Sequence, residues 1–260
     1  MMEDMQHTSA ETAATADYRL SHTRPGKAKE YDSRFTDNAH RRMVWRLEQL
    51  VLKDVADRYL PPRFRHLDFA CGTGRILHCL EPLAGSSTGV DVSDEMLSLA
   101  RSRLPTATLH NADLTRQDVL AGERFDLITA FRFFPNAQPT LRREAMAAIV
   151  RHLSDNGVVV FNNHLNNESL RYRISRLFGR KLPEGMSPAE AVDLISGAGL
   201  QVKRVYHIGV VPSEERFLLL PAPVLEGLER QAMRGEFLRP LAQNLIYVCE
   251  RRQATLSSMS

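Results

Sequence analysis

The chain has 260 residues, 43% hydrophobic and 25% charged, with a formal net charge of +3, so it can bury a substantial core as an ordinary globular protein. That charge is too small to imply a nucleic-acid partner by itself, and no apolar run reaches the ~20 residues of a membrane span. Cys71, Cys79 and Cys249 form no CxxC pair and no metal-ligand spacing, which points to a reducing, cytoplasmic setting without a bound metal.

In chain order, residues 1–30 are polar and aperiodic, as expected of a flexible tail, and the start lacks the apolar core of a signal peptide. From Asn38 to Leu60, Met43, Leu47, Leu50, Val51, Val55 and Leu60 recur at helical spacing until Pro61 and Pro62 stop the helix. "FRHLDFA" then reads as a buried strand, "ACGTGR" as a turn and "RILHCLEPL" as a helix. "STGVDVS" is a second strand, with Ser93 as N-cap of the helix "DEMLSLARSRL". Next come strand-like "ATLHNAD", a short helix in "RQDVLA", an apolar strand in "RFDLITAF", a periodic helix in "PTLRREAMAAIVRHLS" and a strand in "VVVFNN". "SPAEAVDLISGAG" carries Pro188 at a first helical position and a glycine stop, and "QVKRVYHIGVV" and "QNLIYVCER" are the last strands.

This alternation predicts an α/β fold, a mostly parallel sheet with helices on both faces. One domain is expected over 31–250, with an N-terminal helical lid at 31–62, a ligand-binding core at 63–165 and substrate-shaping elements at 166–186 and 212–240. Residues 251–260 read as a second tail.

In such sheets ligands sit beyond the carboxyl ends of the strands, which is where "ACGTGR" falls. A phosphate-cradling loop needs a lysine after its last glycine, and none follows Gly74. A dinucleotide fingerprint needs a third glycine where Leu77 stands. A lone GxG is also compatible with an ordinary tight turn. The acids weigh against that plain reading. Asp91 closes the second strand, where its carboxylate can accept the hydroxyls of a ribose. Asp113 follows the third strand and can accept from an exocyclic adenine amine. Asp68 lies just before the turn, placed to orient the loop or to meet an ammonium group. Three acids around one crevice repel phosphate and suit an adenosine with a cationic tail.

"LDFACGTGRI", "GVDVSDEML", "NADL" and "FDLITAF", in that order, resemble the class I S-adenosylmethionine-dependent methyltransferases in their small-molecule branch, over roughly Leu67 to Asn163. The resemblance implies a Rossmann-like, seven-stranded, mostly parallel sheet with helical lid and insert elements, and S-adenosylmethionine as cofactor. It places Ala70, Cys71, Gly72 and Gly74 against the cofactor's amino-acid end and Asp91 on the ribose. Val92, Met96, Ala112, Asp113 and Leu114 would surround the adenine, and Phe131 would lie near the methionine portion. Ala70 stands where many members carry glycine, so its backbone is expected to avoid positive φ. Tyr31 sits where relatives often have an aromatic closing over the cofactor, or it simply packs the first helix. Trp45 reads as core or substrate wall.

Methyl transfer asks the protein to hold an acceptor in line, exclude water and, for a hydroxyl, remove a proton. His164, just past a strand end, is the candidate base, with a hydrogen-bonded loop histidine as the plain reading. Arg132 either grips an acidic group of the acceptor or pairs with a surface acid. A small-molecule acceptor is expected, at oxygen or nitrogen: a sugar, lipid-linked glycan or secondary metabolite. Nucleic acid is disfavoured because "FRFFPN" lacks the Asn/Asp-Pro-Pro-aromatic motif. In "SLRYRISRLFGRKL" one helical face is apolar and the rest basic, so residues 170–182 read as a lid helix, as a surface that touches an anionic membrane, or as a receiver of a phosphorylated, lipid-linked substrate. A nicotinamide oxidoreductase and a non-catalytic adenosylmethionine-binding protein are the rival functions.

Overall fold

The computed structural model describes residues 18–20, 26, 28, 33, 37–211 and 220–253. Seven strands, β1 (Arg65–Phe69), β2 (Ser86–Asp91), β3 (Thr108–Asn111), β4 (Phe125–Ala130), β5 (Leu153–Asn163), β6 (Leu200–Ile208) and β7 (Asn244–Arg251), form one sheet in the order β3-β2-β1-β4-β5-β7-β6. Strands β1 to β5 pair in parallel, and β7 runs antiparallel between β5 and β6. The expected seven-stranded, mostly parallel sheet is the one that forms.

Helices α1 (Ala39–Tyr59), α2 (Arg75–Leu80), α3 (Asp94–Arg103), α4 (Pro139–His152), α5 (Leu170–Leu177), α6 (Pro188–Gly197) and α7 (Ala222–Ala232) connect and cover it. Because side chains alternate across a strand, Val158 and Val160 of β5 pack with Met43, Leu47 and Val51 of α1. Val159 and Phe161 face the other way, toward Leu141, Ala145 and Ile149 of α4. Two apolar layers thus hold the strands, and their carboxyl ends are left at one edge to build a site.

Several elements depart from the sequence reading. The apolar stripe of α1 is taken up by the sheet, so this helix is chiefly a core layer rather than a lid, with its first turn alone reaching the cavity through Arg41. "RQDVLA" forms turns instead of a helix; its six residues hold a single apolar pair, too little to anchor a helical face. Within the supposed tail, Tyr18–Leu20 form a 3-10 turn packed against the strand ends. The 212–240 insert contains α7 and a 3-10 stretch, Glu236–Leu241, whereas residues 212–219 lie outside the described part. Among the described residues, no helix is long and apolar enough to cross a membrane.

Candidate functional site

The carboxyl ends of β1 to β5 surround a cavity of about 390 Å³. The turn after β1 is tied to the sheet by Cys71 N–H donating to Val90 O at 3.1 Å. Asp91, at the end of β2, accepts Gly72 N–H and Ser93 N–H, each at 2.8 Å. One carboxylate therefore joins the glycine turn to the N-cap of α3. Burial pushes its pKa up, opposed by the backbone N–H groups of Ser93, Gly72 and Val92.

The two glycines of the turn have different work. Gly72 has φ +53, and a Cβ built there meets nothing within 4 Å, because this residue lines the open cavity. Gly74, at φ +76, does not line it; a Cβ there would stand 2.5 Å from Leu104 Cδ1 and 3.2 Å from Ala100 Cβ. Gly74 serves the close packing of the turn on α3. Ala70 corrects the sequence reading, since its φ is +54. The left-handed region costs an L-residue about 1–2 kcal/mol, and here the side chain is a single methyl on the cavity wall.

Asp68 lies beneath this turn, away from the main cavity, beside a small cleft lined also by Cys71, Thr73 and Arg75. Its Oδ1 accepts from Thr129 Oγ1 at 2.6 Å, while Oδ2 is buried without a partner. Thr129 Oγ1 also lies 2.8 Å from His66 Nε2. With Thr129 donating to Asp68, His66 donates from Nε2, and its buried Nδ1, without a partner among the described residues, leaves it neutral. Burial accordingly lowers the His66 pKa to about 3 and raises that of Asp68 to about 7. Cys71 is a buried thiol pushed up by burial and the neighbouring Asp91 and Asp68; it lines the small cleft and not the cavity.

Val92, Met96, Ala112, Asp113, Leu114 and Phe131 all line the cavity. Asp113, however, is engaged by the protein itself. Its Oδ2 takes Arg19 Nε at 2.7 Å, and its Oδ1 takes Thr115 N–H at 2.9 Å and Thr115 Oγ1 at 2.6 Å. Arg19 also reaches Glu144 at 2.6 Å. Beside it, Tyr18 packs edge-on against Phe133 and donates to Arg132 O at 3.2 Å. Tyr31 lies outside the described residues; among those described, Tyr18 is an N-terminal aromatic on the cavity. Trp45 is not on the cavity, and the Arg75 guanidinium lies 4.4 Å over its ring.

The far wall carries Arg41, Arg132 and His164. Arg132 has φ +61, a strained conformation of the kind that persists where neighbours over-determine it. Its N–H donates to Asn162 Oδ1 at 2.6 Å, and its carbonyl accepts from Asn136 Nδ2 at 2.7 Å. Its guanidinium lies 3.5 Å from Glu48 of α1, a fully buried carboxylate. Glu48 Oε1 also accepts Asn244 Nδ2 at 2.9 Å and Asn162 Nδ2 at 3.4 Å. Of the two sequence readings of Arg132, pairing with an acid is observed, and the acid is buried rather than on the surface. His164 Nδ1 is buried without a partner, and burial, with the charges of Arg132 and Arg41, pulls its pKa well below the usual value. It is a neutral imidazole facing two cations.

Sequence reasoning missed Tyr18, Arg19, Arg41 and Glu48. Glu48 alone left a trace, an acid among the apolar positions of α1 next to Leu47.

Residues 67–159 match the family model described as "Methyltransferase domain". The chain is 34% identical over 167 residues, 60% of its own length and 58% of the relative's, to the dTDP-3-amino-3,6-dideoxy-alpha-D-glucopyranose N,N-dimethyltransferase of Streptomyces fradiae. It is 31% identical to the dTDP-3-amino-3,4,6-trideoxy-alpha-D-glucopyranose N,N-dimethyltransferase of Streptomyces venezuelae, over 52% of this chain and 51% of that one. The chain thus spans a little over half the length of these curated relatives. Among solved structures, magnesium protoporphyrin IX methyltransferase from Synechocystis PCC 6803 with bound SAM superposes with a TM-score of 0.63 at 10% identity, covering 92% of this chain and 99% of that one. The N-methyltransferase NodS of Bradyrhizobium japonicum WM9 gives 0.57 at 15% identity, covering 85% and 91%. The fold is that of the class I methyltransferases.

Proposed function

We propose that this chain, which carries a methyltransferase domain at 67–159 on a class I methyltransferase fold, transfers a methyl group from S-adenosylmethionine to a nitrogen or oxygen of an anionic small molecule. The observation that carries this reading is the continuity of one cavity from Asp91 and Gly72 to Arg41, Arg132 and His164. The residues fit the cofactor. Gly72 leaves open space where a Cβ would stand, and Val92, Met96 and Leu114 offer an apolar wall.

When bound, S-adenosylmethionine supplies an electrophilic methyl group on a sulfonium. The protein's part is to hold the acceptor and exclude water. Arg41 and Arg132 draw a negative group to the far wall, and Glu48 with Asn162 holds Arg132 in place. Once the acceptor's anion offsets Arg41 and Arg132, whose charges hold the His164 pKa down, His164 takes up the proton that the acceptor loses. Tyr18, Phe131 and Phe133 wall off solvent. The relatives' names specify dTDP-linked amino sugars, whose diphosphate is the type of anion two arginines recognise. A nucleotide-linked amino sugar is therefore the acceptor class to assay first.

The test is mass-spectrometric detection of methylated product from a panel of nucleotide-linked amino sugars, with S-adenosylhomocysteine affinity measured in parallel. We expect one or two methyl groups added, and His164→Ala to lower kcat about ten- to hundredfold with cofactor affinity unchanged. Cofactor binding without turnover on any amine or hydroxyl acceptor favours a non-catalytic binding protein. Absence of S-adenosylhomocysteine binding rejects the proposal.

A further inference from the structure

We propose that residues 170–182 form a docking face for the surface of an anionic lipid bilayer. The segment leaves the sheet just beyond His164, at the end of β5, and returns through a bridge between Asn166 and Met186. Ser169 caps α5, and Tyr172 Oη donates to Pro183 O at 2.8 Å, tying the helix to its return path. Tyr172 and Ser175 are buried and fix the inner face. Arg173, Ile174, Arg176 and Leu177 therefore point outward, followed by Phe178 and a left-handed Gly179.

Two features of this face point to the same partner. Leu177 and Phe178 are 81% and 71% exposed, at consecutive positions of a protein whose other large apolar side chains are mostly buried. Around them, residues 170–182 hold Arg171, Arg173, Arg176, Arg180 and Lys181 and no acid. Among the described residues, Arg171, Arg173, Arg176 and Lys181 have no carboxylate partner. Arginines elsewhere pair with acids, as Arg65 with Glu123, Arg142 with Glu190 and Arg230 with Glu226 do. An un-neutralised cationic rim around two large apolar side chains matches an interface that is negative outside and apolar a few ångströms further in. A second copy fits poorly, because a two-fold contact would set this acid-free segment against itself. With no spanning helix among the described residues, the contact is peripheral.

The experiment is co-sedimentation of the full chain with vesicles of phosphatidylcholine alone and of phosphatidylcholine containing one-third phosphatidylglycerol. Binding is expected only to the second and is expected to fade as salt rises. Each guanidinium removed should weaken it about fivefold, so Arg173→Gln with Arg176→Gln lowers affinity roughly twenty-five-fold. Leu177→Ser with Phe178→Ser should also release the protein. Both double variants should keep the melting temperature and S-adenosylhomocysteine affinity of the parent, since these side chains are on the outside. Failure to bind, equal binding to both vesicles, or full binding by the Leu177→Ser/Phe178→Ser variant overturns the proposal. A concentration-dependent dimer that these serine substitutions abolish, without vesicle binding, also overturns it and assigns the face to a second copy.

Discussion

The two ends of the cavity are built by different means. At the Asp91 end, backbone does most of the work: the turn after β1 is anchored to β2 through Cys71 N–H, and one carboxylate collects the N–H groups of Gly72 and Ser93. At the Arg132 end, side chains from remote parts of the chain do it. Glu48 meets Asn162 across 114 positions and Asn244 across 196, and the arginine they hold sits at positive φ. A site of the first kind arises wherever a strand, a glycine turn and a capped helix succeed one another. One of the second kind exists only after α1, β4, β5 and β7 have packed.

The comparison is most open to attack at Asp91. Asp91→Ala orphans the buried Ser93 N–H, at about 1–3 kcal/mol, and frees the part-buried Gly72 N–H, and calorimetry should show S-adenosylhomocysteine affinity falling about a hundredfold. Near-parental affinity would mean the turn holds itself without its carboxylate.

At the opposite end, Glu48→Ala removes the buried acceptor of Arg132, Asn162 and Asn244 and should cost about 1–3 kcal/mol in urea unfolding. Glu48→Gln keeps the shape and should instead raise the acceptor KM with little change in cofactor affinity. If Glu48→Gln weakened cofactor binding as strongly as acceptor binding, the two ends would not be separable.

Asp68 gives a pH-dependent test. A carboxyl raised from 3.8 to about 7 on folding keeps its proton in the native state while the unfolded chain has already lost it. It therefore costs nothing below pH 3.8, an increasing amount from there to pH 7, and its full penalty above that. Asp68→Asn should raise stability by about 2 kcal/mol or more at pH 8, measured by thermal melting, and by nothing at pH 3. His66 is present in both proteins and cancels from the difference. The same substitution should weaken cofactor binding if Oδ2 receives an ammonium; unchanged binding would remove Asp68 from the site and leave it a folding element.

The smallest effects separate the two glycines. Both substitutions by alanine bear about 1–2 kcal/mol for the left-handed backbone. Gly74→Ala adds the clash with Leu104 and should lower stability further while sparing affinity in the folded fraction. Gly72→Ala should instead lower affinity, its methyl standing in the cavity. Equal effects of both on melting and binding would erase the distinction between ligand glycine and packing glycine.

How much of this was legible follows from range. The strand, turn and helix around Asp91 were readable because each signal is local: an apolar run, a glycine pair, and Ser93, which caps α3 by accepting Met96 N–H at 3.3 Å. Arg132 and His164 were found as residues past strand ends, but not what holds Arg132. Nothing at position 48 announces a partner at 132, 162 or 244. Arg19 was hidden in an aperiodic stretch, so its hold on Asp113 was not foreseen. The positive φ of Ala70 was missed because steric preference argues against it, and surrounding structure overrides a preference of 1–2 kcal/mol or so.

By itself the sequence determined the order of strands and helices, the mostly parallel sheet and the place of the glycine turn, because periodicity and capping act within a few residues. The tertiary structure alone decided that α1 is a core layer, that Gly74 packs while Gly72 opens onto the cavity, and that a buried glutamate holds the cationic wall. Those outcomes depend on which surfaces meet and what burial does to the charges between them, and neither exists until the chain has closed on itself.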